Sequence, residues 1–334
     1  MKLGSLKSNQ SLDGELILVH RDLKKFVRVS HVAACLREAL EKWNQVEPIL
    51  KKISDDLNSG ALKNIETVRD EKIFHSCLPR TWLFADGSAY IHHIKLVRQA
   101  RKAPLPATLL TSPLMYQAES GRFLAPTEDI PQVDFNYGTD FEAEVGVIVD
   151  HVPMGISAEK ALSHIKLIVL INDVSLRGLI PEELEKGFGF FQSKPPSSLS
   201  PVAVTPDELG EAWDGRRVHL NCSAWVNGEL LGQPNGGKDM QFDFPRLIAH
   251  AAKTRPLSAG TIIGSGTVSN RDRSTGAGCL FERRAEEIIA GGEAKTAYLK
   301  FGGRVKIEML DSDGRSVFGA IDQTIAQHPH HHKP

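Results

Sequence analysis

Apolar positions change their period along the chain, and the change divides it into two zones. Up to about residue 30 they alternate in short runs around Asp13-Gly14, a dipeptide that predicts a hairpin turn. From His31 to about Leu57 the spacing turns helical, with Ala34, Leu36, Leu40, Trp43, Val46, Ile49 and Leu50 set for one buried face. Asn58-Ser59-Gly60 ends that helix, and residues 61–78 connect to a second zone that starts near Pro79.

The second zone reads as strand-rich with few helices. Ser157 is placed to cap a helix over 158–165, and a further helix fits 244–253 with Leu247, Ile248 and Ala251 inward. Asn227-Gly228 predicts a hairpin joining 220–226 to 229–231, and Asp313-Gly314 one joining 304–310 to 315–320. Short strands, tight turns and a few flanking helices predict an α+β fold. The expected organisation is a small N-terminal β/α domain over 1–78 and a larger domain over 79–334.

Within this pattern, two strands carry acids where apolar residues are expected. In Asp140-Phe141-Glu142-Ala143-Glu144-Val145-Gly146-Val147, strand alternation points Glu142 and Glu144 to the same face. Alone, such a pair reads as the exposed face of an edge strand; if buried, the two carboxylates repel unless a cation joins them. Oxygen donors of this kind suit Mg²⁺, Ca²⁺ or Mn²⁺ rather than zinc. The most apolar run, from Ile165 to Ile171, ends in Asn172-Asp173, which puts another carboxylate at the end of a buried strand. Arg177 and Lys194 follow, and Asp86 precedes His93 by seven residues. Further on, Gly264-Ser265-Gly266-Thr267 offers close backbone approach and a hydroxyl. Taken singly, each of these has a bland explanation; Glu282, among Arg283, Arg284, Glu286 and Glu287, looks like a surface residue.

Composition narrows the classes. A net charge of −1 and a pI near 6.9 give no electrostatic case for nucleic acid or an anionic membrane. No apolar stretch approaches the roughly 20 residues of a membrane span, and no signal-like apolar segment follows Met1. Cys35, Cys77, Cys222 and Cys279 form no C-x-x-C pair, so free thiols in a cytoplasmic protein are expected. The terminal run from His328 to His332 reads as a frayed tail.

Together the motifs resemble the fumarylacetoacetate hydrolase family. The matching residues are D-x6-H (Asp86, His93), D-x-E-x-E (Asp140 to Glu144), N-D-x-S-x-R (Asn172 to Arg177), Lys194 before Ser200-Pro201, and G-S-G-T (Gly264 to Thr267). The resemblance implies a mixed β-roll catalytic domain preceded by a small SH3-like domain, and a homodimer. It implies Asp86, Glu142, Glu144 and Asp173 as ligands of a divalent cation, Mg²⁺ first. His93 falls on the general base, Glu282 on the carboxylate that orients it, and Arg177 and Lys194 on charge-stabilising cations. Tyr116 and Thr267 fall, with Arg177 and Lys194, on substrate-contacting positions. The implied reaction is hydrolysis of a carbon–carbon bond in a β-diketo acid, fumarylacetoacetate to fumarate and acetoacetate, as in tyrosine and homogentisate catabolism.

This chain departs from the fumarylacetoacetate enzymes where Ile180 and Leu184 replace a Gln and a Tyr, and where Ser88 replaces another Tyr. The alternatives are fumarylpyruvate or another acylpyruvate as substrate, 2-keto acid decarboxylation or isomerisation on the same metal platform, and a non-catalytic binding protein.

Overall fold

The computed structural model describes residues 1–328; the His-rich end from residue 329 lies outside the described residues. The N-terminal zone supplies β1 (Lys2–Leu6), β2 (Glu15–Val19), β3 (Lys25–Arg28), α1 (Leu36–Glu41), α2 (Trp43–Ser59) and β4 (Glu66–Thr67). Next come β5 (Phe84–Gly87), α3 (Ile91–Ala100), β6 (Met115–Ala118), β7 (Ile130–Gln132), β8 (Thr139–Asp140) and β9 (Ala143–Val149). After these come α4 (Ala158–Ala161), β10 (Ile165–Asn172), β11 (Ser175–Leu176), α5 (Ile180–Glu185), β12 (Ser198–Leu199) and β13 (Val202–Val204). The chain then forms β14 (Cys222–Val226), β15 (Glu229–Gly232), α6 (Phe244–Ala251), β16 (Ile262–Gly264), α7 (Leu280–Gly291), β17 (Arg304–Met309) and β18 (Ile321–Gln327). The architecture is α+β, as the pattern predicts.

One long mixed sheet runs β4-β3-β2-β1-β13-β10-β9-β16-β5-β6, and a second runs β15-β14-β17-β18-β7. The N-terminal strands do not form a sheet of their own. β1 pairs antiparallel with β13, Lys2 opposite Val204, and so extends the central sheet.

Alternation explains why the central strands read as continuous apolar runs. Val145, Val147 and Val149 of β9, with Ile168 and Leu170 of β10, join the core that includes Ala224, Val305, Ile307 and Ile325 of the second sheet. Their neighbours Ile148, Leu167, Val169 and Ile171 point the other way, into a core with Leu36, Leu40, Trp43 and Leu50 from α1 and α2. Both faces are covered, so both parities are apolar. The acids stand out against that background.

Several local expectations change. The helix expected over 31–57 begins at Leu36 and breaks at Lys42. Ala34 precedes the helix and is exposed, while its N–H is capped by Glu38 at 2.8 Å. Ile49 is 51% exposed, because the buried stripe of α2 runs through Trp43, Val46, Leu50 and Leu57. Ser157 does cap α4, but the helix tightens into a 3₁₀ turn over 162–164 and β10 starts at Ile165. In α6 Leu247 and Ile248 are buried whereas Ala251 is only half-buried. Asn227 and Gly228, with φ of 52° and 87°, form the expected tight turn. After Asp313-Gly314 the chain makes only an isolated bridge, Leu310 with Ser316, since β18 takes the place beside β17.

The hairpin expected around Asp13-Gly14 is present, β1 pairing antiparallel with β2, but its connection spans residues 7–14 rather than two residues. Asp13 is buried and accepts hydrogen bonds from Arg80 (Nε 2.9 Å, Nη2 2.8 Å) and Arg37 (Nη2 2.9 Å). The Arg80 hydrogen bond leads the effects that hold its carboxyl below the usual range. Its contribution is therefore present above the unfolded carboxylate value of about 3.9 and is lost as pH falls through the depressed folded value. Asp13→Asn is expected to cost about 1–3 kcal/mol at pH 7. In urea titrations the gap from the parent chain should narrow below about pH 4; a gap as wide at low pH would show that the charge contributes nothing.

Candidate active site

Three carboxylates meet because their strands share a face and an end. Asp86 has the parity of Phe84 in β5, Glu144 that of Ile148 in β9, and Asp173 that of Ile171 in β10, all on the side of the core containing α1 and α2. The register sets them side by side: Glu144 lies opposite Ile171, and Gly264 of β16 lies opposite both Asp86 and Gly146. Each of Asp86, Glu144 and Asp173 presents an oxygen within 4.8 Å of the other two. Gly264 leaves room for this, since a Cβ there would stand 2.3 Å from Asp86 Oδ1. The Gly-rich segment that follows adds a donor, the Gly266 N–H at 3.0 Å from Asp86 Oδ1.

Glu142, also expected among the ligands, is placed differently. Its Oε1 accepts from Arg177 Nη2 at 2.8 Å and its Oε2 from Lys194 Nζ at 2.7 Å. Lys194 also donates to Asp173, as does the Tyr116 hydroxyl, while Ser197 Oγ holds the other Asp173 oxygen at 2.7 Å. The four expected ligands are thus linked, with Glu142 joined to the triplet through Lys194.

Charge accounting shows what the cluster lacks. Asp86, Asp140, Glu142, Glu144 and Asp173 are all buried, and Arg177 and Lys194 are the cations bonded to them. Arg177 engages Asp140 and Glu142, and Lys194 engages Glu142 and Asp173. Among the described residues neither oxygen of Glu144 has a hydrogen-bond partner. Burial, then Asp86, pushes the Glu144 carboxyl well above its ordinary range; burial, then Asp173, does the same to Asp86. Burial opposes the charge of Lys194, but Asp173 and Glu142 outweigh it and keep the ammonium protonated. An excess of buried carboxylates around a donor-free glutamate is an environment that a hard divalent cation completes.

The general-base candidates sit beside this cluster. His93 lies in the first turn of α3 and Glu282 in the first turn of α7, and the two helices pack together. His93 Nδ1 is 2.9 Å from Glu282 Oε1, and Glu282 Oε2 accepts the Gly278 N–H at 2.9 Å. Glu282 is 2% exposed, so the surface reading suggested by its charged neighbours fails. Burial raises the Glu282 carboxyl, but hydrogen bonding from His93 overrides it and holds the group below its usual range. Cys279 is close to both. Burial, then Asp140, lifts its thiol well above the ordinary range, which removes it as a nucleophile at neutral pH.

A cavity of about 480 Å³ opens on these groups and is lined by Asp86, His93, Tyr116, Glu142, Arg177, Lys194 and Thr267. The buried Thr267 Oγ1 has no hydrogen-bond partner among the described residues, which leaves a hydroxyl for a ligand. Ser88, Ile180 and Leu184, the positions that depart from the fumarylacetoacetate pattern, line the same cavity.

Two contributors escaped the sequence reading. Ser197 carries no motif signal. Asp140 sits inside the D-x-E-x-E motif without an assigned role, yet it is fully buried and accepts from Arg177 Nε at 2.9 Å and from the N–H groups of Leu280 and Phe281 at 2.9 and 3.0 Å. It therefore anchors the helix that bears Glu282 and orients Arg177 with one carboxylate. Its place as the first residue of the D-x-E-x-E motif was the available clue.

The model for the C-terminal part of fumarylacetoacetate (FAA) hydrolase matches residues 83–326, and the model for fumarylacetoacetase N-terminal domain 2 matches residues 1–80. The chain belongs to the fumarylacetoacetate hydrolase family. Over 167 residues it is 29% identical to 2,4-didehydro-3-deoxy-L-rhamnonate hydrolase of Sphingomonas sp. strain SKA58, covering 49% of this chain and 54% of that protein. Over 131 residues it is 32% identical to an oxaloacetate tautomerase of Bacillus subtilis, covering 39% and 41%. The chain thus spans about half, or less, of the length of these curated relatives. Among solved structures, a fumarylacetoacetate hydrolase from Exiguobacterium antarcticum superposes with a TM-score of 0.65 at 17% identity, covering 98% of this chain and 100% of that one. A maleylpyruvate hydrolase from Sphingobium sp. SYK-6 in complex with manganese(II) and pyruvate superposes at 0.64 and 16% identity, covering 98% and 99%. These structures share the fold, and the named relatives include both hydrolases and tautomerases. No helix among the described residues is long and apolar enough to cross a membrane.

Proposed function

We propose that this protein hydrolyses a carbon–carbon bond in a β-diketo acid, with fumarylacetoacetate the first substrate to test and fumarylpyruvate the second. The observation that carries this reading is the His93–Glu282 pair, whose His93 lines the same cavity as Asp86 of the carboxylate triplet. Asp86, Glu144 and Asp173 would hold a divalent cation, Mg²⁺ first, with Glu142 beside them. The manganese named in the Sphingobium hydrolase complex supports a cation of this class. When bound, the cation would polarise the substrate's chelated oxygens as a Lewis acid.

The chain's own residues account for the rest. Glu282 accepts the Nδ1 proton of His93, which leaves Nε2 free to take a proton from water. Lys194 and Arg177 place positive charge where an enolate and an oxyanion develop; such donors are worth about 3–4 kcal/mol each. Thr267 Oγ1 offers a hydrogen bond to the substrate's carboxylate end. Water adds to one carbonyl, the bond to the neighbouring carbon breaks, and the enolate picks up a proton to leave as the keto acid. As the family resemblance implies, the enzyme would act on small anions as a homodimer.

The Bacillus relative's name supports a second reading, tautomerisation of a 2-keto acid on the same platform. The test is to strip the purified protein with chelator, restore Mg²⁺ and assay fumarylacetoacetate, fumarylpyruvate and oxaloacetate. Cleavage of either diketo acid is expected. Enol–keto exchange of oxaloacetate with no cleavage of either would replace hydrolysis by tautomerisation.

A further inference from the structure

Cys279 has no part in the hydrolysis described above, yet it sits against the groups that do. Its Sγ, one ring nitrogen of His93 and one carboxylate oxygen of Glu282 all lie within 4.8 Å of one another. The fold fixes all three. Cys279 is the N-cap of α7, where its side chain makes no capping hydrogen bond, and Glu282 follows in the first turn. His93 comes from α3, which packs against α7. Cys279 and Glu282 are buried, whereas His93 is half-buried and lines the cavity, so the group has one open side. Cys35, Cys77 and Cys222 are also free and buried, but among the described residues they belong to no such group.

One nitrogen, one sulfur and one oxygen, with a water from the cavity as fourth ligand, make a zinc donor set and not a magnesium one. Zinc bonds of about 2.0–2.3 Å put tetrahedral donors roughly 3.3–3.8 Å apart, so small side-chain rotations suffice. Charge favours the ion. With His93 neutral, the group carries the single negative charge of Glu282, in a buried place. Zn²⁺ with a Cys279 thiolate brings that to zero, and the thiol proton leaves to solvent. Burial opposes a bare thiolate at Cys279, but a bound cation takes the place of the proton. We propose that His93, Cys279 and Glu282 form a second metal site, selective for zinc-like cations, whose occupation switches the enzyme off. Either ring nitrogen gives the same outcome. Bound through Nε2, His93 has spent the lone pair that takes the water's proton; bound through Nδ1, the neutral ring keeps its own proton on Nε2. The inhibition rests on the diketo-acid reading, in which His93 is the base, whereas the metal site does not.

The test uses Co²⁺ as a zinc-like probe, because a thiolate bound to cobalt gives a near-ultraviolet charge-transfer band that oxygen ligands do not. The full chain, saturated with Mg²⁺, is titrated with Co²⁺ as parent, Cys279→Ser and Glu144→Gln. Serine is a good N-cap, so Cys279→Ser keeps the start of α7 intact. The band is expected in the parent and in Glu144→Gln, bleached by added Zn²⁺, and absent in Cys279→Ser. No band in the parent, or a band that survives in Cys279→Ser, overturns the site. In steady-state cleavage of fumarylpyruvate at saturating Mg²⁺, Zn²⁺ should inhibit the parent. Cys279→Ser should need at least roughly 10-fold more Zn²⁺ for the same inhibition, the lower end of what a metal's supporting residues govern. Equal sensitivity of the two would place the inhibition at the carboxylate triplet and overturn the switch. If the parent cleaves no diketo acid, the hydrolase reading fails separately and the cobalt band decides the metal site.

Discussion

Glu144→Gln is expected to weaken Mg²⁺ or Mn²⁺ binding at least 100-fold, because it neutralises a carboxylate that accepts no hydrogen bond among the described residues. Outer-sphere partners of a metal typically govern about 10–100-fold in affinity, so a direct ligand should exceed that range. The substitution keeps the shape of the side chain and removes one of the three mutually close carboxylates. It also gives the neighbouring Asp86 an amide donor in place of a carboxyl whose charged form burial and Asp86 disfavour. Two thermal effects of opposite sign follow. The metal-free variant should melt at or above the metal-free parent, since a like-charge repulsion in a buried site is relieved. The parent should gain about 2.7 kcal/mol when the metal is at 100 times its Kd, and the variant should gain little. Titration calorimetry with Mn²⁺ and melting with and without metal check both. A variant that binds Mn²⁺ as tightly as the parent would remove Glu144 from the ligand set and leave its two bare oxygens unexplained.

The site was more legible in the sequence than the fold around it, for a physical reason. Alternation is local, so Glu142 and Glu144 could be assigned to one face before any pairing was known. A carboxylate at the end of an apolar run marks itself in the same way, as Asp173 does. What alternation cannot give is the partner of each strand. That β1 would sit beside β13, some two hundred residues away, follows from register alone and from no local signal. Turn dipeptides misled where tertiary contacts overrode them. Asp13, in the connection of the β1–β2 hairpin, is fixed by Arg37 and Arg80 rather than by a two-residue turn, and the strand expected after Gly314 lost its place to β18. Glu282 was masked by charged neighbours that face solvent from the same helix, while its own side of α7 is shared with the buried Ala285 three residues on. Asp140 and Ser197 act through hydrogen bonds to other site residues, a role that residue type and spacing do not announce.

His93→Ala should lower kcat for diketo-acid cleavage by about 10²–10⁴-fold while leaving metal binding intact, the usual size of a general-base contribution. His93 belongs to no part of the carboxylate triplet, so calorimetric metal titration separates loss of the base from loss of the site. Glu282→Gln should act in the same direction. The amide this introduces can present NH₂ toward His93 Nδ1 and so favour the tautomer with its proton on Nε2, where the lone pair is needed. Because Glu282 works through His93, the double variant should be hardly worse than His93→Ala alone. A structural role for Glu282, anchoring the loop through the Gly278 N–H, would instead add its own loss of stability to the double variant. The comparison also separates the two reaction classes. Keto–enol exchange needs no attacking water, so a tautomerase would not show a cleavage activity that collapses with His93. If His93→Ala cleaved fumarylacetoacetate or fumarylpyruvate at the parent rate, water activation would have to come from another group in the cavity, and the His93–Glu282 pair would be left as a structural contact between α3 and α7.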